Sequence, residues 1–173
     1  MNVNYLSVDA SWPAFCDEYT AVYNNMTDKP DATNAAYQNT MVEALVDGGY
    51  WARMDLFYCM AQAYEDEAKL NWVNPGTYDL TEVGAGSLTW TQYEGFISDG
   101  TNYLNTGWIP STHAVNAGQD DITMGAYIIG TDANTPDAVM GTLDGSGRRL
   151  QMYTRYSGNL DFYANNLSTL SRP

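Results

Sequence analysis

Apolar residues recur at helical intervals through the first half of the chain and at alternate positions through much of the second. Phe15, Tyr19, Val22 and Tyr23 fall at i, i+4, i+7 and i+8, which predicts a helix over about residues 12–26, with Ser11 as its cap and Pro13 in its first turn. The stretch from Asn24 to Pro30 breaks it. A second helix is predicted from Asp31 or Thr33, with Tyr37, Met41, Ala44 and Leu45 as its apolar stripe and Gly48-Gly49 as its stop. Tyr50, Met54, Phe57, Ala61 and Tyr64 step by four, three, four and three, so a third helix is expected there, its stripe widened by Trp51 and Tyr58. The three consecutive acids Glu65-Asp66-Glu67 would point in different directions around a helix and are expected to form a solvated turn. Leu70, Trp72 and Val73 carry the apolar pattern to Asn74-Pro75-Gly76, where a fixed proline torsion beside a permissive glycine predicts a turn.

From Ser87 the period changes to two. Leu88 and Trp90 alternate with Thr89, Thr91 and Tyr93, and further strands are predicted over 103–106, 122–129, 138–143, 149–156 and 160–164. Short Gly-rich connections such as Asp144-Gly145-Ser146-Gly147 and Ser157-Gly158-Asn159 imply antiparallel hairpins, because a parallel crossover needs about a dozen residues or more. Asp99-Gly100 is expected to make a tight turn that fixes the pairing of the strands on either side. Helices followed by a run of strands give an α+β class: a helical region over 1–85, then an antiparallel β-sandwich over 86–173. Residues 1–10 show no strong period and are expected to form an extended arm or a poorly ordered end.

Composition narrows the function. The 21 acidic and 7 basic residues give a net charge of −14, which argues against a nucleic-acid backbone or an anionic membrane surface as partner. Residues 1–85 hold 13 acids against 3 bases, and residues 86–173 hold 8 against 4, so the acidity is concentrated in the helical region. This suits a solvated surface or docking onto a basic partner. The 14 tyrosines fit strand faces, subunit interfaces and sugar-stacking surfaces alike. No stretch has the length of a membrane span, and Met-Asn-Val-Asn-Tyr lacks the basic start and apolar run of a signal peptide, which predicts a protein not exported by that route. Cys16 and Cys59 are read as buried free thiols or as one disulfide between two helices.

Candidate chemistry is sparse. The single histidine, His113, lies in Pro110-Ser111-Thr112-His113-Ala114 with no acid fixed beside it, so Ser111 and Thr112 are read as turn residues rather than nucleophiles. Glycoside hydrolysis needs two facing carboxylates, whereas Glu94 is the lone acid of its predicted strand and Asp120 and Asp121 are adjacent. Asp120, Asp121, Asp132, Asp137 and Asp144 fall in predicted loops and are the candidate ligands for calcium. Trp108 and Tyr156 could stack on a sugar ring. No catalytic, cofactor-binding or metal residue is assigned, and the protein is expected to be no enzyme and to need no cofactor.

Three segments carry a resemblance. Trp51-x3-Asp55-x2-Tyr58, then Leu70-Asn71-Trp72-x-Asn74-Pro75-Gly76-Thr77-Tyr78, then Gly95-Phe96-x2-Asp99-Gly100-x-Asn102-Tyr103-Leu104-Asn105-Thr106-Gly107, resemble a pattern of bacteriophage and prophage virion proteins. In these a helical region precedes a concanavalin A-like, laminin-G-like jelly-roll. The resemblance spans about residues 40–130 and implies a fibre, spike or decoration component of a virion, made in the host cytoplasm. It further implies attachment to other virion proteins through the N-terminal region, and a sandwich that in some cases meets host glycans. A homotrimer is favoured, since it would cover exposed strand edges. The strands predicted after residue 87 are fewer than a jelly-roll needs, and no closing strand is expected at Ser171-Arg172-Pro173. Either the chain continues in a longer protein or neighbouring subunits complete the sheet.

Overall fold

The computed structural model describes residues 14–118, 121–128, 138–143, 149–153, 160–166 and 170–172. They belong to two compact units that interleave along the sequence. The first takes the chain through Val83 together with Thr89–Ile97 and Leu104–Gly107; the second takes Gly84–Leu88, Ser98–Tyr103 and the chain from Trp108 onward.

The first unit begins with helix α1, Asp17–Asn25. It starts later than its apolar stripe suggests because residues 14–16 are not helical and Cys16 is the cap, its Sγ accepting the Tyr19 amide at 3.4 Å. Ser11 lies outside the described residues. Helix α2, Ala32–Asp47, starts where Asp31 accepts the amides of Thr33 and Asn34, both at 2.9 Å. Its C-terminus closes through two reciprocal bonds, Tyr50 amide to Leu45 carbonyl and Gly49 amide to Val46 carbonyl, around Gly49 at φ +69°. That left-handed position is what the second glycine of the pair supplies.

The predicted face of α2 is only partly right: Met41 packs against the core and Leu45 is half-buried, but the buried positions are others. Ala35, Gln38, Asn39 and Val42 are buried, whereas Tyr37 is 71% exposed and Ala44 is also exposed. Two amide side chains belong to the buried face because the interior satisfies them. Gln38 bonds Tyr19 and Gln62, and the Asn39 Oδ1 accepts the Cys16 amide at 2.9 Å.

The predicted third helix does not form. Only a single 3-10 turn at Trp51–Arg53 and a short helix α3, Glu65–Lys69, flank an irregular segment over 54–64. The backbone of that segment is claimed by tertiary partners. The Phe57 amide donates to Asn71 Oδ1 at 3.2 Å, and its carbonyl accepts the Trp72 amide at 2.8 Å. Further on, the Gln62 carbonyl accepts the Tyr93 amide at 2.8 Å, and the Ala63 carbonyl accepts Gln92 Nε2 at 3.0 Å. Helical i to i−4 bonds would use the same groups, so long-range pairing has displaced the helix that the periodicity favours.

The core of this unit is Tyr19, Val22, Met26, Ala35, Val42, Leu70 and Trp72. Trp72 is fully buried and meets Phe57 edge-on, with ring centroids 6.0 Å apart at 90°, and Tyr19 at 6.1 Å. The turn after it is held by Asn71 and Asp79. The Asn71 amide donates to Asp79 Oδ1 at 2.8 Å, its Nδ2 donates to the Thr77 carbonyl at 3.1 Å, and the Gly76 amide reaches the same Asp79 carboxylate.

Strands β1 (Thr81–Gly84) and β4 (Asn102–Asn105) make one two-stranded sheet; β2 (Thr89–Thr91) and β3 (Gly95–Ile97) make another. β1 was not anticipated. β2 and β3 run antiparallel, with Trp90 opposite Phe96. The turn at Asp99-Gly100 exists: Asp99 Oδ1 accepts the Thr101 amide at 2.8 Å and Gly100 has φ +87°. It does not pair the strands beside it, since β3 pairs with β2 and β4 with β1.

In the second unit, β5 (Ala138–Leu143), β6 (Arg149–Tyr153), β7 (Leu160–Asn166) and β8 (Leu170–Arg172) form an antiparallel sheet in chain order. Met152 lies opposite Phe162, and Phe162 opposite Leu170. β8 pairs with β7, which corrects the expectation that the last residues carry no strand. No strand forms over 121–128, where one was expected to run to residue 129; Ile129 itself lies outside the described residues. The architecture is thus mixed α+β, with two-, two- and four-stranded antiparallel sheets among the described residues.

Candidate functional site

Side chains from α1, α2 and the 54–64 segment converge on a buried polar network in the first unit. The Tyr19 hydroxyl donates to Gln38 Oε1 at 2.5 Å, and Gln38 Nε2 donates to Gln62 Oε1 at 2.6 Å. Cys59 lies within hydrogen-bonding reach of Gln62, and Glu67 of α3 stands on the inner side of the network. Tyr19, Gln38, Gln62 and Glu67 are all buried.

On the outer side opens a pocket of about 200 Å³, lined in part by Tyr37, Gln38, Met41, Cys59, Gln62 and Tyr93. Tyr93 is half-exposed and has φ +61°, an uncommon conformation for a bulky residue. Its amide is tied to Gln62 and its hydroxyl accepts Asn34 Nδ2 at 3.3 Å. Both glutamines use their side chains within the network, so the pocket presents mainly apolar and aromatic surface: Tyr37, Met41, Cys59, Ala61 and Ala63. Such a surface can receive the face of a ring or an apolar side chain.

The electrostatics follow from burial. Glu67 is fully buried, and neither carboxylate oxygen completes a hydrogen bond. Gln38 and the amides of Ala63 and Tyr64 approach it and favour the charged form, but without good bonding geometry. Desolvation dominates, the neighbouring Asp66 carboxyl adds to it, and the acid is pushed up to about 7. Burial first and the Glu67 charge second push the Tyr19 hydroxyl well above the ordinary tyrosine range. Burial also pushes the Cys59 thiol up, against a lowering contact from Gln62, so the sulfur is the protonated, weakly nucleophilic form at neutral pH. Cys16, raised chiefly by burial, is likewise a free thiol, and no disulfide joins the two. Desolvation lowers Lys69, but its bonds to Glu65 at 2.6 Å and Glu82 at 2.8 Å outweigh this and leave it raised.

The acids predicted to form a solvated turn therefore divide. Glu65 pairs with Lys69, Asp66 Oδ2 accepts the amides of Thr27 and Asp28 at 2.8 and 3.1 Å, and Glu67 turns inward.

The other residues singled out from the sequence take separate places. His113 is in helix α4, Pro110–His113, and its Nδ1 accepts the Ile109 amide at 2.9 Å, a local capping bond; Ser111 and Thr112 belong to the same helical turn. Glu94 is exposed in the turn between β2 and β3, not in a strand. Trp108 is half-buried. Asp120, Asp132, Asp137, Asp144 and Tyr156 lie outside the described residues, and Asp121 is exposed, its carbonyl accepting the Gly118 amide. Among the described residues no three metal-ligating side chains converge, and no helix is long and apolar enough to cross a membrane. The sequence missed the Tyr19–Gln38–Gln62–Glu67 network. The available signal was the stripe Ala35, Gln38, Asn39, Val42, which has helical spacing once amides are admitted to a buried face.

Compared with protein-family models, with curated proteins and with solved structures, the chain has no match.

Proposed function

We propose that this chain is a non-enzymatic structural component of a bacteriophage virion, a fibre, spike or decoration protein that attaches through its acidic helical region and presents its β-strands. The observation that carries the reading is the use made of the residues behind the resemblance. Trp51 packs on Phe57 with ring centroids 6.2 Å apart, the Tyr58 hydroxyl donates to the Tyr78 carbonyl at 2.6 Å, Asn71 holds the turn to Asp79, and Asp99 shapes a turn. Each is spent on building the scaffold, and this fits a protein whose task is to hold a shape and make contacts. The acidic first 85 residues supply a surface for a basic partner. The small antiparallel sheets have edge strands that suit pairing with other chains, and a concanavalin A-like sandwich completed by neighbouring subunits is the arrangement proposed for them.

A second reading, recognition of a host glycan, is favoured by the exposed Tyr37 and Tyr93 beside the pocket, because tyrosine faces stack on sugar rings. Light scattering on the purified chain separates assembly from simple solubility. A trimer is expected, and a monomer that persists at high concentration would overturn the trimeric arrangement. Saturable binding of a host polysaccharide, reduced in Tyr37→Ala, would favour the glycan reading.

A further inference from the structure

We propose that the first unit contains a proton-operated lock, in which Glu67 is packed as the neutral acid and its ionisation loosens the contact between α3 and the helices α1 and α2. The geometry consists of a fully buried carboxyl whose two oxygens complete no hydrogen bond. Among the described residues no positive charge acts on it. From α1 it is faced by Tyr19, from α2 by Gln38, from the 54–64 segment by Cys59 and the backbone amides of Ala63 and Tyr64, and along α3 by Asp66. The three bases of the unit stand elsewhere: Lys69 pairs with Glu65 and Glu82, Lys29 bonds the carbonyls of Tyr23 and Met26, and Arg53 ends the 3-10 turn at Trp51–Arg53. A carboxylate here would be an unpaired buried charge beside a second acid. A carboxylic acid is neutral and carries a proton it can donate.

The direction of the pH effect follows. Below the ordinary glutamate value of 4.5 the group is protonated in folded and unfolded chains alike, and its contribution to stability is complete. Between 4.5 and about 7 only the unfolded chain releases the proton, so stability falls as pH rises. Above about 7 both forms are ionised and the contribution has gone. The unfolding constant changes about tenfold per pH unit across this window, roughly 300-fold in all. Ordinary carboxylates that gain bonds on folding act in the opposite sense, so the net profile of the protein is the sum of both.

The full-length chain and Glu67→Gln are compared by urea unfolding, followed by near-UV circular dichroism, at several pH values from 4.5 to 8. The ratio of their unfolding constants is expected to rise about 300-fold from the acid end to the alkaline end, the wild type becoming relatively weaker. A ratio that stays constant with pH would overturn the lock. Should Glu67→Gln fail to fold, carboxyl carbon-13 NMR of the wild type decides instead. A Glu67 midpoint near 7 supports the lock, and a midpoint near 4.5 overturns it.

Discussion

Trp72→Ala is expected to destabilise the protein by about 3–5 kcal/mol, the range for removing a large buried aromatic side chain. Trp72 is fully buried between Tyr19 and Phe57, and its Nε1 also reaches the Glu67 carbonyl at 3.5 Å. Alanine would leave a cavity among α1, α2 and the 54–64 segment and remove two ring contacts at once. Domains have total stabilities of only about 5–15 kcal/mol, so this one change takes a large share. Hydrogen exchange on the amides of α1 and α2 checks it. Loss of protection there is expected, with a smaller loss in Trp72→Phe, which keeps one ring in the site. Wild-type protection in Trp72→Ala would show that the core does not depend on this side chain.

Asn71→Ala is expected to cost about 2–4 kcal/mol, although it removes little apolar area, because a buried partner left unpaired bears its full desolvation penalty. The change strands two groups, the Phe57 amide and the Thr77 carbonyl, both now bonded to the Asn71 side chain. Asn71→Asp is the informative companion. It retains an acceptor for Phe57 but loses the donor to Thr77, and it sets a carboxylate close to Asp79, whose Oδ1 already accepts the Asn71 amide. It should be no better tolerated than alanine and should recover in part at low pH, where the introduced side chain is protonated and can again donate a hydrogen bond. Chemical denaturation of the three proteins at two pH values gives the comparison. Equal stabilities would remove Asn71 from its place as the clamp of the turn.

These two residues also mark where sequence reasoning reaches its limit. Local signals were legible at several places where a local bond decides the structure, Asp31 as a cap, Gly49 as a stop, Asn74-Pro75-Gly76 and Asp99-Gly100 as turns, and so were the strands at 89–91, 102–105 and 138–143, whereas the Cys16 cap of α1 was missed. The third helix was misread because Phe57, Ala61 and Tyr64 have helical spacing, while their segment's backbone bonds go to Asn71, Trp72 and Tyr93. Periodicity records which residues seek the core and says nothing of which distant group will claim a backbone amide. The same blindness hid the network. Gln38 and Gln62 look like solvent-facing residues in the sequence and are buried because they bond one another and Tyr19, and Glu67 is buried beside them with no completed bond. Pairing of β3 with β2 rather than with β4 is again a tertiary choice that the Asp99-Gly100 turn does not set.

The proposal that the chain is built into a phage particle rests on its edge strands, its acidic first 85 residues and the virion-like pattern. Antibody raised against the chain, applied to virus-like particles purified from cells that carry its gene and viewed by electron microscopy, tests this directly. The account predicts label at a fixed position on the head or tail, together with peptides of the chain in the particle's protein digest. Particles free of both, from cells that contain the folded protein, would contradict it.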